Sequence, residues 1–213
     1  MDLLTAVQTR VSIRDYKEEP IPEEIIQQLL QAAIRAPSGE NLQPWKFIII
    51  KDPEIKGKIG NLSVQAAKEH FTAQISELEK RFAEIQDKKR REAIIRSLTS
   101  GSRMKFIETA PLLIVACADK EAPNYTESVS AAIQNMLLTA HALGLGGCWT
   151  TLSLLFSETK KALYKLLDIP KNIEVIAVMT IGYPSRTPRL RFRKSIDDVT
   201  YYNKYGVNVN QTP

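Results

Sequence analysis

The stretch Ala36-Pro37-Ser38-Gly39-Glu40-Asn41-Leu42-Gln43-Pro44-Trp45 most constrains this chain, because it must end an amphipathic helix and start the apolar strand Lys46–Ile50. Connections in compact domains are usually a few residues long. Here Pro37 and Pro44 fix two φ angles and remove two N–H donors. Gly39 permits a positive φ or a close approach of another group. Ser38, Asn41 and Gln43 are thereby held on a stiffened loop. Amide side chains carry a donor and an acceptor each, which matches the alternating edge of a planar heterocycle, and rigid loops are where binding groups gather. Two readings stand: a ligand-facing loop, or a well-punctuated turn with Trp45 anchoring the strand.

The 213 residues suit one large domain or two small ones, and no linker or internal repeat divides them, so one domain over 1–213 is expected. With 44% hydrophobic and 25% charged residues the composition is that of an ordinary soluble protein. The net charge of +5 and pI near 9.1 favour anionic small molecules, but the charge is too diffuse to indicate nucleic acid. Cys117 and Cys148 fit neither a metal spacing nor a disulfide framework, which points to a reducing compartment. His70 and His141 are the only histidines, and neither has a second ligand nearby in sequence, so no metal site is assigned. The N-terminus has no signal-type apolar core and no run is long enough to span a bilayer, so a cytoplasmic protein without membrane contact is expected.

Along the chain, Asp2 is placed to cap a helix over Leu3–Gln8. Arg10-Val11-Ser12-Ile13-Arg14 alternates as an extended segment, with Val11 and Ile13 on one side and Arg10, Ser12 and Arg14 on the other. Two guanidiniums and a hydroxyl on one face make an anion receptor; a solvated basic face is the plainer reading. Pro22-Glu23-Glu24 starts a helix whose Ile25, Ile26, Leu29, Leu30, Ala33 and Ile34 form one stripe, and Pro37 forces its end. Lys46–Ile50 reads as a short buried strand. Residues 54–96 are helical in pattern, with Lys88–Arg91 read as a solvated face because acids surround it. Ser97–Ser102 reads as a mobile polar break.

Leu112–Ala118 is a continuous apolar run suited to a central strand buried on both faces. Thr126–Leu143 is the next helix, with Gly144 at its C′ position. Gly146-Gly147 leaves backbone that a ligand can touch, or forms a plain turn into a strand with Trp149 in the core. Ser157–Leu167 is a helix and Glu174–Ile181 a strand. Arg186, Arg189, Arg191, Arg193 and Lys194 then crowd together, either as a solvated tail or as a second phosphate contact. Tyr201, Tyr202 and Tyr205 suggest that the last residues pack on a neighbouring subunit.

Taken in order, Arg10-x-Ser12-x-Arg14, Ala36-Pro37-Ser38-Gly39-x-Asn41-x-Gln43-Pro44-Trp45, Gly144-Leu145-Gly146, Gly182-Tyr183-Pro184 and Arg193-Lys194 resemble the FMN-dependent nitroreductase family. The likeness covers most of the chain and is weak over about 60–105, a helical segment in which such proteins vary. The resemblance implies an α+β fold with a mixed, mainly antiparallel sheet flanked by helices. It also implies an intertwined homodimer wrapped by a tail at about 195–213, with two FMN sites at its interface. It implies that Arg10, Val11, Ser12 and Arg14 hold the phosphate, ribityl chain and pyrimidine edge, that Arg193 or Lys194 completes the phosphate site, and that Pro37, Ser38, Asn41 and Gln43 come from the partner chain. Trp149, Thr150 and Thr151 would line the N5 or dimethylbenzene side.

The flavin would carry the chemistry, so no protein catalytic residue is assigned, although Arg14 near the pyrimidine is positioned to tune the flavin potential. The implied activity is ping-pong: NADH or NADPH delivers electrons, then a nitroaromatic, quinone or free flavin accepts them. Alternatives are a reductive dehalogenase or a flavin-cleaving benzimidazole synthase of the same family. Further off is a non-enzymatic flavin-binding regulatory protein that uses Lys88–Arg91.

Overall fold

The computed structural model describes residues 1–207. Helices α1 (Leu3–Thr9) and α2 (Glu23–Ala33) precede strand β1 (Trp45–Ile50); helices α3 (Pro53–Ala73), α4 (Ile75–Arg81), α5 (Lys88–Thr99) and α6 (Phe106–Thr109) follow it. Strand β2 (Leu112–Asp119), helix α7 (Tyr125–Ala142), strand β3 (Gly146–Thr150), helix α8 (Ser157–Leu166) and strand β4 (Ile173–Gly182) complete an α+β architecture. The strands lie in the order β1-β2-β4-β3, and every ladder is antiparallel. The mixed sheet expected from sequence reduces, among the described residues, to one isolated parallel bridge between Ser12 and Gly147.

β2 is buried along nearly its whole length, as its apolar run demands. Its Ile114, Ala116 and Ala118 meet α2 and α7 on one face; Leu113, Val115 and Cys117 meet α3, α6 and α8 on the other. β4 keeps this division only because its pairing shifts register opposite Ala116/Cys117, which leaves Ile176 as the extra residue. Such a bulge resets the two-residue alternation, so Val175 and Val178 share one face while Ala177 and Met179 share the other.

Local sequence accounts for most element ends. Asp2, Asp52 and Asp87 cap α1, α3 and α5 by accepting from the backbone N–H three residues on. Gly144, at φ +82°, closes α7. Three expectations are corrected. β1 is an edge strand, with Lys46 exposed and Phe47, Ile48 and Ile49 only half-buried. Helix α2 ends at Ala33, ahead of Pro37, and Pro22 sits at its N-cap. Ser97–Ser102 is hydrogen-bonded rather than loose: α5 runs on to Thr99, and Ser97, Ser100 and Ser102 bond to one another and to Arg103. The rings of Tyr201 and Tyr205 meet at a 50° tilt with centroids 4.5 Å apart; residues 208–213 of the expected wrapping tail lie outside the described residues.

Candidate functional site

The Arg10–Arg14 segment runs along the free edge of β3. The Ile13 N–H donates to the Gly147 carbonyl at 3.0 Å, and the Ile13 side chain fills the space above Gly146, where a Cβ would come within 2.3 Å of it. The two glycines therefore admit a neighbouring stretch of the same chain. Of the two readings of this pair, the plain turn into a strand holds: both glycines are buried at the start of β3, and Gly147 is packed by Leu137 and Ile181. With Val11 in the core and Ile13 turned onto the sheet, Arg10 half-buried and Ser12 and Arg14 exposed are left facing outward. Val11 can contribute only its backbone to a ligand.

Arg14 lies with Cζ 5.9 Å from the centroid of the Phe106 ring and beside the Cys148 thiol. Burial pushes that thiol above its ordinary value, and the Arg14 guanidinium opposes the shift. Arg10 follows the last turn of α1, where its backbone N–H bonds the Ala6 carbonyl.

The Pro37–Gln43 loop is built differently. Of the two options open to Gly39, close approach is the one taken; the positive φ falls on Glu40, Asn41 and Gln43, at 51°, 54° and 50°. Non-glycine residues held in this region store of order 1–3 kcal/mol each. Several bonds over-determine the shape. The Gln43 N–H donates to Ser38 Oγ at 3.1 Å, and the Gly39 N–H donates to Ser128 Oγ at 3.3 Å. Ser128 in turn donates to the Asn124 carbonyl at 2.7 Å. Glycine at 39 serves close approach, since a Cβ there would stand 3.1 Å from the Pro123 carbonyl oxygen. Pro37, Asn41 and Gln43 are exposed and Ser38 half-buried.

These two clusters lie at opposite ends of helix α7. The loop touches Ser128 near the start of α7, while Thr9, one residue before Arg10, meets His141 near its end at 2.8 Å. At 1.5 Å per residue the two anchor points are roughly 20 Å apart along the helix. The sheet agrees: Trp45 after the loop pairs with Ala118 at the end of β2, whereas the strip lies beside Gly146–Gly182, next to the start of β2.

Trp149 is half-buried against the α7 side of the core, Thr150 is buried with Oγ1 3.5 Å from the Leu152 nitrogen, and Thr151 is exposed. Arg193 and Lys194 stand in solvent on the C-terminal segment, Arg193 donating to the Phe192 carbonyl at 3.0 Å. That segment leaves the sheet beside the strip, where Arg186 Nε approaches Asp15 Oδ2 at 3.5 Å.

The arrangement belongs to a known group. The model of the nitroreductase family matches residues 7–183. This chain is a member of the nitroreductase family. A protein of Methanothermobacter thermautotrophicus, provisionally named NADH dehydrogenase/NAD(P)H nitroreductase, is 29% identical over 90% of this chain and 82% of its own length. The iodotyrosine deiodinase of Thermotoga neapolitana is 28% identical over 92% of this chain and 95% of its own. Among solved structures, an oxidised iodotyrosine deiodinase bound to FMN and 3-iodo-L-tyrosine superposes with a TM-score of 0.75 at 26% identity, covering 96% of this chain and all of that one.

In this nitroreductase-family chain, two surface hollows of about 440 and 480 Å³ lie on α8 and α3, and none of the predicted site residues lines either. Sequence reading missed Tyr16, Thr180 and Ser128, which hold the two clusters in place, and Phe106 beneath Arg14. Tyr16 continues the spacing Arg10, Ser12, Arg14 by one more step, which was the available signal. Among the described residues no group of three or more His, Cys, Asp or Glu is placed to hold a metal ion, and no helix is long and apolar enough to cross a membrane.

Proposed function

We propose that this protein is an FMN-dependent oxidoreductase that takes electrons from NADH or NADPH and passes them to a small organic acceptor such as a nitroaromatic, quinone or flavin. The observation that carries the reading is the division of the cationic strip and the amide loop between opposite ends of helix α7, in a family whose members include FMN-bound proteins. Two copies laid side by side bring the strip of one to the loop of the other, so a homodimer supplies both halves of each site.

The donor set fits FMN. A phosphate dianion needs charge-assisted donors, each worth about 1.5–3 kcal/mol, and Arg10 and Arg14 stand on one strip with the Ser12 hydroxyl between them. Arg193 or Lys194 adds a cation from the C-terminal segment. Asn41 and Gln43 of the partner copy would present amide edges to the ring, from backbone fixed at positive φ at both residues. Arg14, backed by Phe106, would supply positive charge to the pyrimidine edge and so favour the reduced cofactor. Bound FMN supplies hydride acceptance and release. The protein binds and orients, and protons come from solvent. Donor and acceptor would use one site in turn, which gives ping-pong kinetics.

The test is direct. Purified protein should be yellow, or should become so with added FMN, and NADH or NADPH should bleach it. A colourless chain that does not quench FMN fluorescence refutes the reading. Reductive dehalogenation is the second reading, favoured by the whole-length match to a deiodinase bound to FMN and 3-iodo-L-tyrosine. Release of iodide from 3-iodo-L-tyrosine by the reduced protein, with no turnover of nitroaromatics or quinones, would select it.

A further inference from the structure

We infer that Tyr16 is a positioning residue, whose hydroxyl clamps the backbone of Ile13 and thereby aims Ser12 and Arg14 at the cofactor; this rests on the FMN reading above. Ile13 is held in three ways. Its N–H is bonded to Gly147 and its side chain occupies the Gly146 notch. Its carbonyl accepts from Tyr16 Oη at 2.6 Å. A carbonyl can only accept, so the single Tyr16 proton is committed there.

Thr180 Oγ1, 2.7 Å from Tyr16 Oη, must then be the donor of the second bond. Thr180 is fully buried in β4, where it pairs with Cys148 and Leu113. The result is a short chain of bonds, Thr180 to Tyr16 to Ile13, running from the centre of the sheet to the strip. The ring has its own seat. Gly182 leaves room for it, since a Cβ there would come within 2.8 Å of Tyr16 Cδ1. Tyr16 also bridges to Pro184, and Lys17 N–H bonds the Tyr183 carbonyl at 2.9 Å. Burial drives the phenol far above its usual range, so the donor survives at any working pH.

The consequence concerns what each group does. Every inward-facing group of Ile13 is bound to protein, so Ser12 and Arg14, its two neighbours, have no freedom to follow a backbone shift. A phenylalanine at 16 keeps the ring seated and frees the Ile13 carbonyl. It also strands the buried Thr180 hydroxyl, which lowers stability for a reason unrelated to the strip. Replacing both partners by apolar groups of similar shape removes that second effect. The double variant Tyr16→Phe/Thr180→Val therefore separates packing from positioning.

The experiment measures three things on the wild-type chain, Tyr16→Phe and the double variant: thermal midpoint, FMN dissociation constant by fluorescence quenching, and amide hydrogen exchange over residues 10–17 without FMN. Positioning predicts that the double variant regains the part of the midpoint lost to the stranded Thr180 hydroxyl, but not the part lost with the Tyr16–Ile13 bond. Both variants must still exchange faster over residues 12–14 and bind FMN roughly tenfold more weakly. A double variant that matches the wild type in exchange and in FMN affinity overturns the inference, as does a Tyr16→Phe chain that binds FMN normally. If the wild-type chain itself binds no FMN, the cofactor reading fails. The exchange arm then decides the clamp alone: unchanged exchange in both variants overturns it.

Discussion

His141 couples two helix ends at the cationic strip. Thr9 Oγ1 lies 2.6 Å from the Thr5 carbonyl and 2.8 Å from His141 Nε2. The threonine proton goes to the carbonyl, so the imidazole N–H donates to Thr9. Burial, and secondarily the charge of Arg10, hold His141 below its ordinary value of 6.5. The sign follows: below about pH 6.5 the unfolded chain binds the proton that the folded chain resists, so stability falls as pH drops through this window. The thermal midpoint should decline on acidification from pH 7 toward 5.5, roughly the range over which histidine titrates. His141→Gln, which keeps a donor for Thr9, should flatten that part of the profile; an identical slope in the variant would refute the assignment. Arg14 behaves otherwise. It is exposed and supports little of the fold, so Arg14→Gln should leave the midpoint nearly unchanged. It should also weaken FMN binding by about 1.5–3 kcal/mol, roughly ten- to a hundred-fold, as read by fluorescence titration.

At the level of elements, the strip depends on β3 having no side chains at its first two positions. A methyl group at residue 146 would stand 2.3 Å from Ile13 Cγ1 and 2.7 Å from its Cβ, and a β-branched side chain seated on the sheet has little room to retreat. Gly146→Ala should therefore destabilise by about 1–3 kcal/mol, the usual range for overpacking, and should loosen FMN in parallel because the strip is what moves. A lowered chemical-denaturation midpoint with normal FMN affinity would show the strip to be independent of this contact. The same contact shows how far the sequence was legible. The β2 run, the α7 stripe, the Asp2 cap and the Gly144 stop could be read because each is dictated by residues within a few positions of one another. The need for glycine at 146 could not be read, because the side chain that fills the space is Ile13, more than a hundred positions away, and a glycine looks the same whether a ligand or a side chain lies over it. The bulge at Ile176 was hidden for a related reason: a run of apolar residues carries no mark of where its alternation resets. In the Pro37–Gln43 loop the polar residues and the close approach open to Gly39 were identifiable, but nothing marked Glu40, Asn41 and Gln43 as the residues that take a positive φ. What fixes them there is bonding to Ser38 and Ser128, the second of these on a helix eighty-odd residues later.

At the scale of the whole molecule, the proposed function requires the two clusters to meet. Anchored at Ser128 and His141, roughly 20 Å apart on α7, neither can reach the other in a single chain without dismantling the helix between them. The proposed homodimer would solve this twice over, since an isologous pairing that sets one strip against the other copy's loop repeats the contact at the second site. The exposed apolar residues Leu190, Phe192, Ile196 and Tyr205 of the C-terminal segment and Leu3, Leu4 and Val7 of α1 are surfaces for such an association to cover. The arrangement makes an unusual quantitative demand. A chain carrying Arg14→Gln has a damaged strip and a sound loop; a chain carrying Asn41→Ala has the reverse. Each homodimer then has two defective sites. In a mixed dimer both defects fall in one site, leaving the other with a normal strip and a normal loop. If the chains are unfolded together and refolded in equal amounts, half of the dimers are mixed and half of their sites are intact. High-affinity FMN binding should therefore return to about a quarter of the wild-type level, although neither parent shows it. Sites contained within single chains would give no recovery at any mixing ratio, because each chain would bring its defect to its own site. A stoichiometric FMN titration of the mixture, with the two parents as controls, decides between the two architectures.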